Sequence, residues 1–494
     1  MTAVALPILI PLFLIILLIL IRSDKLARWI GITGSAALLV VSIWLLVQVS
    51  RNDILILYMG GWAAPYGITL VVDYLSSLML VVSSFIVFTI SIYAYRFVPF
   101  SHKKMKFYIF FFSLVMGVNG AFITGDVFNL YVWFEVMLMS SFVLITLEST
   151  KEQLEGGIKY MALNLVGSLL FLAGLGLLYG KTGTLNMAHL AEILKNDQHA
   201  LLMNSSAALF FVAFGIKAAV FPLFFWLPSS YHTPNITITS LFAGLLTKVG
   251  VYALIRVFTL FFVQDQDFWH QLLLIVAGFT MVIGGMAAST YYETRKILSY
   301  HIISQIGYMI MGLGIFTPLA IAGAIFFTLH NMLAKTNTFL VAGLINKVKG
   351  SYDLKNVGGL YKERPFLALL FIIPAFALGG IPPLSGFFAK FILIKAGFEN
   401  ENYVITAIAL LTGMLTLFSM LKIWNEAFLK KPEKGEEKKS ERIQLKFSEV
   451  LPPVLLGLAV IVMGIFAFYV FDLTLKAGNQ LIDPSLYIQK VLGL

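Results

Sequence analysis

Residues 214–256 decide the fold of this chain and read FGIKAAVFPLFFWLPSSYHTPNITITSLFAGLLTKVGVYALIR. The stretch spans parts of two long apolar runs, and about 20 apolar residues suffice to cross a bilayer. Lys217 and Lys248 lie inside the two runs, and Pro222 interrupts the first. Proline opens the helical hydrogen-bond ladder, which a membrane tolerates only where protein or water satisfies the freed groups. The stretch therefore predicts membrane helices that are broken and carry buried charge.

The whole chain has the same character. Of its 494 residues, 59% are apolar, 12% are charged and none is cysteine, whereas roughly a quarter of the residues in soluble domains are charged. This composition excludes a soluble enzyme, a disulfide-stapled secreted fold and thiolate chemistry. We predict an all-α polytopic membrane protein with about 14 transmembrane helices. Its apolar runs are residues 3–21, 28–49, 68–95, 107–124, 127–147, 158–179, 205–227, 235–262, 270–290, 298–316, 319–345, 366–396, 403–428 and 450–472.

Two parts of the chain match in length and in the position of their helix breaks. Five runs lie within residues 107–262, and five more lie within 263–428. Pro222 interrupts the seventh run, and the pair Pro382 and Pro383 interrupts the twelfth at the corresponding place. An odd number of helices per part gives the second part inverted topology. Two inverted five-helix repeats with broken helices 7 and 12 are typical of a midplane ion site.

The remaining segments complete the predicted organisation. The start of the chain is an apolar run without a basic leader or a cleavage site, which favours a retained span over a signal peptide. Most lysines and arginines lie in loops after odd-numbered spans, so the positive-inside rule places both termini outside. We expect a loop with a short surface helix at 181–204. The predicted parts are 1–106 (spans 1–3), 107–262 (first repeat), 263–428 (second repeat), 429–449 (a charged cytoplasmic loop) and 450–494 (span 14 and tail).

Charged residues inside the spans are the candidates for function. Lys217, Lys248, Lys335 and Lys390 would each cost about 2.5–3.5 kcal/mol at the bilayer centre. Retention of four such groups indicates a role in function, because a buried amine can exchange its proton and pass it through water. Glu135 is the only acid well inside a span, and its proton affinity depends on any nearby ammonium group. The sequence therefore predicts a proton pathway.

Other titratable residues in the spans carry a weaker signal. His330 is a candidate relay, and His301 is more simply explained as a core histidine bound to a carbonyl. Lys422 lies near a span end, where its ammonium group can reach the interface. Asp73 and Asp126 lie near span ends and are expected at the interface.

The sequence contains no motif that indicates another kind of function. It has no phosphate-binding loop, zinc spacing or haem pair. We therefore expect no cofactor, no nucleic-acid partner and no enzymatic activity of the chain by itself. The sequence leaves any metal site undefined.

Three further stretches follow the same order as those of a known family: DVFNLYVWFEVMLMSS (126–141), SQIGYMIMGLG (304–314) and GIPPLSGFFAKF (380–391). Together with 214–256 they resemble the antiporter-like subunits of respiratory complex I and the Mrp-type sodium/proton antiporters. The likeness extends from about residue 65 to 430. The chain lacks the long extensions of the largest subunits, and Lys390 stands where the middle complex I subunit usually has a glutamate. The resemblance therefore favours the Mrp type.

This resemblance implies roles for the buried residues. It pairs Glu135 with Lys217, makes Lys248 a central relay, places His330 and Lys335 on span eleven, and makes Lys390 the exit-side lysine. Two positions depart from the family pattern. Ser229 replaces an acid after the seventh-span Trp-Leu-Pro. Asn331 replaces the histidine that commonly precedes the eleventh-span lysine by four residues.

The function implied is that of a proton-translocating subunit of a multisubunit Na⁺/H⁺ antiporter in the bacterial plasma membrane. Its expected partners are the other subunits, including a larger paralogous one, together with protons, Na⁺ and the lipid bilayer. An antiporter-like, proton-pumping subunit of an NADH or ferredoxin oxidoreductase is the alternative within the family. A carrier for an organic solute and a non-transporting scaffold are alternatives from other classes.

Overall fold

A computed structural model describes residues 2–21, 23–98, 103–195, 200–431 and 444–494. Twelve helices in these ranges are long and apolar enough to cross a membrane, and two apolar helices, Met203–Ala218 and Pro365–Gly379, are shorter. The chain is thus a mostly helical, multi-pass membrane protein, as its composition predicts. Within the predicted charged loop 429–449, residues 432–443 lie outside the described ranges.

The elements follow one another as helices with a single pair of strands in the described ranges. They are α1 Leu6–Leu20, α2 Asp24–Asn52, β1 Leu55–Tyr58, β2 Thr69–Val72, α3 Tyr74–Phe97, α4 Lys103–Ile123, α5 Val127–Ile145, α6 Lys151–Thr182, α7 Met187–Leu194, α8 Ala200–Ala218, α9 Trp226–Ser230, α10 Ile236–Gly244, α11 Leu246–Leu260, α12 Gln266–Thr290, α13 Thr294–Ile315, α14 Pro318–Lys349, α15 Leu360–Glu363, α16 Pro365–Gly379, α17 Ser385–Glu399, α18 Tyr403–Trp424, α19 Phe447–Ile465, α20 Ala467–Ile482 and α21 Ser485–Leu492. A π-helical turn, Asn425–Leu429, extends α18, and short 3₁₀ turns lie at Thr2–Ala5, Met59–Gly61 and Leu354–Asn356.

A small β-hairpin departs from the all-α expectation. Strands β1 and β2 pair antiparallel, with Leu55 opposite Val72 and Tyr58 opposite Thr69. The apolar run predicted from residue 68 therefore begins as a strand, and α3 starts only at Tyr74. The run was misassigned at its start because the segment Thr69–Val72 is largely apolar, like a membrane helix, and periodicity cannot separate a strand from a helix over four residues.

Helix α14 is the centre of the molecule. Every residue from Ala320 to Ile345 is buried, and the helix packs against α3, α10, α13, α16, α17, α19 and α20. All residues of α10 and α11 are buried as well. A helix that is buried on all sides belongs inside a large protein or a membrane bundle. Charged side chains within these buried stretches are therefore shielded from lipid by other helices.

Two of the apolar segments are interrupted where the sequence places its prolines. Helix α8 ends at Ala218, which is followed by Ala219 at φ +62°, and the helical path resumes with α9 at Trp226. Helix α16 ends at Gly379, and α17 begins at Ser385. Pro222 lies in the first interruption, and Pro382 and Pro383 lie in the second. The prolines that the sequence marks as helix breaks therefore lie in the two segments between these helices.

The C-terminal residues form two helices that pack on the protein. Helix α20 contacts α14, α3 and α11, and α21 contacts α7. The Tyr58 hydroxyl donates to the Val491 carbonyl at 2.9 Å, which ties the hairpin to the C-terminal end.

Helix α7 confirms the short helix predicted within 181–204.

Candidate functional site

Lys217 lies in the last turn of α8, directly before the break at Pro222. Its Nζ donates to Ser168 Oγ at 3.1 Å and lies 4.9 Å from the centre of the Phe134 ring. The side chain also lines a cavity of about 20 Å³ together with Tyr160 and Asn164. A cavity of this size has room for about one water molecule. The ammonium group therefore has neutral partners and space for a proton carrier.

Glu135 lies on α5 near this lysine, but the two do not form a direct ion pair in the structure. Its charge interacts electrostatically with Lys217, but the two groups are farther apart than the nitrogen and oxygen atoms of an ion pair. One carboxylate oxygen, Oε1, is buried and has no hydrogen-bond partner in the part of the chain that the structure describes. The contact that the resemblance implies is therefore a through-space interaction. Buried carboxylate oxygens are normally hydrogen-bonded, so this oxygen is open to a water molecule.

Lys248 lies in the first turn of α11, next to the junction at which α10 and α11 depart from a continuous helix. Leu245 separates the two helices, and the fully buried Lys248 donates from Nζ to the carbonyl oxygen of Ala243 at 2.6 Å. Gly250 brings α11 close to the end of α8, because a Cβ at this position would lie 2.5 Å from the Ala218 nitrogen. Backbone contact between these helices places Lys248 on the segment next to the Lys217 turn.

Lys335 occupies the interior of α14. It is fully buried, and its Nζ has no hydrogen-bond partner among the residues that the structure describes. Both amide atoms of Asn331, one turn earlier, also lack partners. Lys335 lies within the range of electrostatic repulsion from Lys248 and Lys390. It is therefore the middle member of a group of three lysines on three different helices.

His330 lies on the same helix as Lys335 but points to a different partner. Its Nδ1 is 2.8 Å from Ser385 Oγ, at the first residue of α17 after the break. Helix α14 is continuous from Pro318 to Lys349, and residues five apart on a regular helix lie about 140° apart. His330 and Lys335 therefore face different neighbours. Any water chain that joins them must bend around α14.

Lys390 lies on α17 and reaches back across the break to the end of α16. Its Nζ donates to the carbonyl oxygens of Leu378 at 2.9 Å and Gly379 at 3.2 Å. These are carbonyls that the end of a helix leaves without an internal partner, and they carry the negative end of its dipole. The Tyr308 ring lies 5.6 Å from the same ammonium group. Lys390 thus stabilises the interruption and remains next to an aromatic, polar surface of α13.

The four lysines share one property that decides their chemistry. Within the described part of the chain, none of them forms an ion pair with a carboxylate, and three donate to neutral hydroxyl or carbonyl oxygens. A neutral acceptor does not cancel a buried positive charge. Burial favours the neutral form of an amine. Groups of this kind can release and regain a proton without breaking an ion pair.

The sequence also matches a known protein family over the segment that contains every one of these residues. Residues 124–416 match the family described as the transmembrane region of NADH:quinone oxidoreductase and Mrp antiporter subunits.

The chain belongs to this family.

Its relatives in this family are similar along nearly their entire length. A curated Na⁺/H⁺ antiporter protein of Alkalihalophilus pseudofirmus, the D-type component of that antiporter, is 46% identical over 99% of both chains. Its counterpart in Bacillus subtilis is 39% identical over 99% of both chains. A chain in the Mrp complex from a Dietzia species superposes with a TM-score of 0.91 at 29% identity, covering 100% of both chains. A chain of an archaeal membrane-bound sulfane sulfur reductase gives 0.91 at 28% identity, covering 99% of both.

One buried ion pair of this family member was missed in the sequence. Arg256, inside the apolar run 235–262, places its Nη1 2.6 Å from a carboxylate oxygen of Asp73. Asp73 was expected at the interface, but both side chains are almost completely buried. Burial by itself raises the pKa of Asp73, but the Arg256 guanidinium and the Ser76 hydrogen bonds hold it below its ordinary value. The signal was visible, because an arginine in an apolar run requires a partner.

Asp73 also has a local role that explains its position. It is the N-cap of α3, where its carboxylate accepts from the Ser76 nitrogen at 2.9 Å and Ser76 Oγ accepts from the Asp73 nitrogen. This reciprocal capping satisfies two backbone donors at the start of the helix. Arg256 in turn donates to the Tyr252 hydroxyl at 3.2 Å. The pair therefore joins α3 to α11.

The remaining charged candidate, Lys422, has structural partners near the surface. Its Nζ donates to the Ser289 carbonyl at 3.0 Å and the Tyr291 carbonyl at 2.7 Å, and it lies 3.7 Å from the centre of the Tyr292 ring. These contacts cap the C-terminal end of α12. Ser229, which departs from the acid of the family pattern, donates to the Phe225 carbonyl at 3.0 Å. Neither residue contacts the buried lysines.

Proposed function

We propose that this chain is the D-type component of a multisubunit Na⁺/H⁺ antiporter and carries protons along a row of buried side chains. The row consists of Glu135 and Lys217, then Lys248, then Lys335 with His330, and finally Lys390. The full-length similarity to antiporter subunits of the same size supports this role. No covalent bond in a substrate is made or broken, so the chain is a transporter subunit rather than an enzyme.

One observation carries the proposal. Lys335 is fully buried at the centre of the fold, its ammonium group has no hydrogen-bond acceptor in the described part of the chain, and Lys248 and Lys390 repel it. A structural lysine would have an acceptor, because a buried charge without one is strongly destabilising. A proton carrier needs to be able to lose its charge. The absence of a fixed partner is therefore the expected property of a relay group.

Electrostatic coupling explains how a proton bound at one side chain of the row favours proton release from the next side chain. Charges a few ångströms apart in a poorly screened interior interact with several kcal/mol. Lys248 and Lys390 both repel Lys335, so a proton gained by either of them favours proton loss from Lys335, and we propose that Lys217 and Lys248 respond to each other in the same way. Glu135 stabilises the charged form of Lys217 at one end. A change in the protonation of Lys217 can thus be passed along the row to Lys390 without movement of whole helices.

Hydration of the row is supported by unpartnered polar atoms beside it. Thr247 Oγ1, next to Lys248, is buried without a hydrogen-bond partner, as are the amide atoms of Asn331 and one oxygen of Glu135. Native proteins satisfy such atoms with ordered water. The water molecules that these atoms require would lie between the titratable groups and carry protons from one to the next.

We propose the finer topology on the same grounds. The twelve long helices and the two interrupted segments, α8–α9 and α16–α17, would make 14 spans. Residues 107–262 and 263–428 would form two inverted five-helix repeats, with the interruptions in spans 7 and 12. They would lie between an N-terminal part, 1–106, and a C-terminal part, 450–494, that follows the charged cytoplasmic loop. The distribution of basic residues supports a bacterial plasma-membrane protein with both termini outside.

The partners follow from the same relatives. A similar chain occurs in an Mrp complex, and we propose that this chain also functions in a hetero-oligomeric antiporter that contains a larger paralogous subunit. Sodium would cross at a site elsewhere in the assembly or at its interfaces. No cofactor or nucleic acid takes part in this function.

A redox-driven alternative has one observation in its favour. The superposition on the sulfane sulfur reductase chain is as close as that on the Mrp chain, with a TM-score of 0.91 for each. The same row would then serve a respiratory complex. Genes for small antiporter subunits beside the gene for this chain would favour the antiporter, whereas genes for redox subunits would favour the alternative.

The test is sodium-dependent proton flux in everted vesicles that contain the whole complex. Glu135→Ala and Lys217→Ala should each abolish the fluorescence change of a pH-sensitive dye while leaving complex assembly normal. Lys422→Ala is the matched control, because this lysine caps α12 near the surface and its acceptors can bind water instead. We expect it to retain most of the flux. Full flux in both Glu135→Ala and Lys217→Ala complexes would refute the proposal.

A further inference from the structure

Helices α13 and α18 meet along a line of polar side chains that the proposed row does not use. His301 Nε2 lies 2.7 Å from Ser419 Oγ, and Gln305 Nε2 donates to Thr416 Oγ1 at 3.2 Å. One turn further along α13, the Tyr308 hydroxyl donates to the Ala409 carbonyl. Residues at i, i+4 and i+7 share one face of a helix, so these contacts form one continuous seam.

The inner end of this seam lies at Lys390. The Lys390 ammonium group is 5.6 Å from the centre of the Tyr308 ring. A Cβ at Gly413 of α18 would lie 3.8 Å from Lys390 Nζ and 3.6 Å from the Tyr308 hydroxyl. The last lysine of the row, α13 and α18 therefore meet at one point.

The outer end of the seam lies close to a membrane surface. Ser419 is three residues from Lys422, whose ammonium group binds the Ser289 and Tyr291 carbonyls at the end of α12. Tyr291 is exposed. The loop between α12 and α13 follows an odd-numbered span, and Arg295 and Lys296 lie directly after it, so the positive-inside rule places it in the cytoplasm.

The seam contains polar atoms that have no hydrogen-bond partner within the described ranges of the chain. His301 Nδ1, Gln305 Oε1 and Thr412 Oγ1 are buried without hydrogen-bond partners, and the three residues are fully buried. Contacts between helices in native proteins leave few such atoms, because each costs roughly 1–3 kcal/mol. Three of them along one interface, on both helices, indicate a path that water enters.

The hydrogen bonds of Ser419 determine which nitrogen of His301 is basic. The Ser419 hydroxyl donates to the Leu415 carbonyl at 2.8 Å, so His301 Nε2 is the donor to Ser419 Oγ. Nδ1 then carries the free lone pair of the neutral ring. The ring lies within electrostatic range of Lys335 and Lys390. A proton released by these lysines therefore has an acceptor on the seam.

From these contacts we propose that the α13–α18 seam is a proton route between Lys390 and the cytoplasmic surface, with His301 as its relay. The proposal rests on the proton-carrying function of the row. A proton leaving the Lys390 ammonium group passes through water to His301 Nδ1 and forms an imidazolium. The imidazolium releases its Nε2 proton to Ser419 Oγ, and the Ser419 hydroxyl proton passes to water at the surface. Only N–H and O–H bonds form and break, and the net result is the transfer of one proton from Lys390 to water at the surface, with the neutral His301 ring left protonated on Nδ1.

The first test distinguishes a role of His301 in proton transfer from a role in helix packing. In vesicles containing the whole complex, His301→Gln keeps a donor for Ser419 but cannot take up a proton. We expect sodium-dependent proton flux to fall roughly a hundredfold, the lower end of what a positioned proton-transfer group contributes. Ser91→Ala is the control, because it removes a buried interhelical hydrogen bond, Ser35 Oγ to Ser91 Oγ at 2.8 Å, away from the seam. It should leave the flux unchanged.

The outcomes distinguish this proposal from the function on which it rests. Normal flux in His301→Gln together with loss of flux in Lys390→Ala would refute the seam and leave the row intact. Normal flux in both would refute the row itself. If His301→Gln complexes do not assemble, Thr412→Val provides the same test at a second unpartnered atom, and normal flux in that variant would overturn the seam.

The second test measures access of water. Because the chain has no cysteine, Ser419→Cys introduces a single thiol into it. A charged maleimide should label this chain in everted vesicles, which expose the cytoplasmic face, and not in right-side-out vesicles. Ser91→Cys should remain unlabelled in both. Failure of Ser419→Cys to label from the cytoplasmic side would contradict the proposed route.

Discussion

Lys390 Nζ lies 2.9 Å from the carbonyl oxygen of Leu378, across the break between α16 and α17, whereas Lys335 Nζ has no acceptor among the described residues. The two lysines are both buried and both belong to the proposed row. Their contributions to stability should nevertheless have opposite signs. One ammonium group satisfies the end of a helix, and the other is an uncompensated charge.

Replacing each of these lysines by methionine should separate function from stability. Lys335→Met removes a charge that costs about 2.5–3.5 kcal/mol to bury in a membrane, so the purified complex should melt at the same or a higher temperature. Lys390→Met leaves the carbonyls of Leu378 and Gly379 unsatisfied at roughly 1–3 kcal/mol each, so its complex should melt lower. Both variants should lose sodium-dependent proton flux. A marked loss of stability in Lys335→Met would show that this lysine is a structural element.

The approach of α17 to α16 should depend on a glycine. A Cβ on Gly386 would overlap the carbonyl oxygen of Ala377 and crowd His330 Nε2. Overpacking of this kind typically costs about 1–3 kcal/mol. We expect Gly386→Ala to lower the melting temperature of the complex and to reduce flux, because it displaces Ser385, the partner of His330.

A matched glycine provides the control for this substitution. Gly176, inside α6, has no atom within 4 Å of the position where its Cβ would lie. Gly176→Ala should leave both the melting temperature and the flux unchanged or slightly improve stability, since alanine favours helices by about 1 kcal/mol over glycine. Equal behaviour of the two variants would contradict the close contact at Gly386.

The buried pair of Asp73 and Arg256 should be more sensitive to loss of one partner than to loss of both. Arg256→Met leaves an unpaired buried carboxylate, and breaking such a pair costs about 3–5 kcal/mol. The double variant Asp73→Asn with Arg256→Met leaves no unpaired charge and should melt at a higher temperature than Arg256→Met alone. The melting temperatures of the two purified complexes measure this difference. A double variant that melts below the single one would contradict the argument.

The same pair predicts a pH dependence of stability. The pKa of Asp73 in the folded protein is below its ordinary value of 3.8. Between the folded and unfolded values the unfolded chain binds more protons, so stability falls as pH falls. The contribution of the pair should therefore be complete above about pH 4 and disappear as pH drops through the folded pKa. Melting curves of wild type and Arg256→Met should converge only in this acid range.

Much of the proposed row was accessible from the sequence because its signal is local. A lysine inside an apolar run is anomalous wherever the run packs, and a proline in the same run opens the helix at a known residue. Lys217, Lys248, Lys335 and Lys390 were found in this way. Helices α8 and α16 end at Ala218 and Gly379, a few residues before these prolines.

The seam could not be located by such reasoning, and for the Asp73–Arg256 pair the sequence showed the anomalous arginine but not its partner. His301 and Ser419 are 118 residues apart, and Gln305 and Thr416 are 111 apart. A serine, a threonine or a glutamine in an apolar run is common, and each has several possible partners within its own helix. Which of them face one another depends on how α13 packs on α18, and a single sequence does not contain this packing.

The amino-acid sequence alone determined that this chain spans a membrane, where its helices break, and which ammonium groups lie in apolar runs where contact with lipid is unfavourable. These properties follow from hydropathy and proline geometry, which act over a few residues. The tertiary structure decided that Lys390 caps a helix end while Lys335 has no acceptor among the described residues, that Glu135 interacts with Lys217 only through space, and that His301 is bound to α18. Hydrogen bonds and charge interactions act over a few ångströms between distant parts of the chain, so only the packing of the helices sets them.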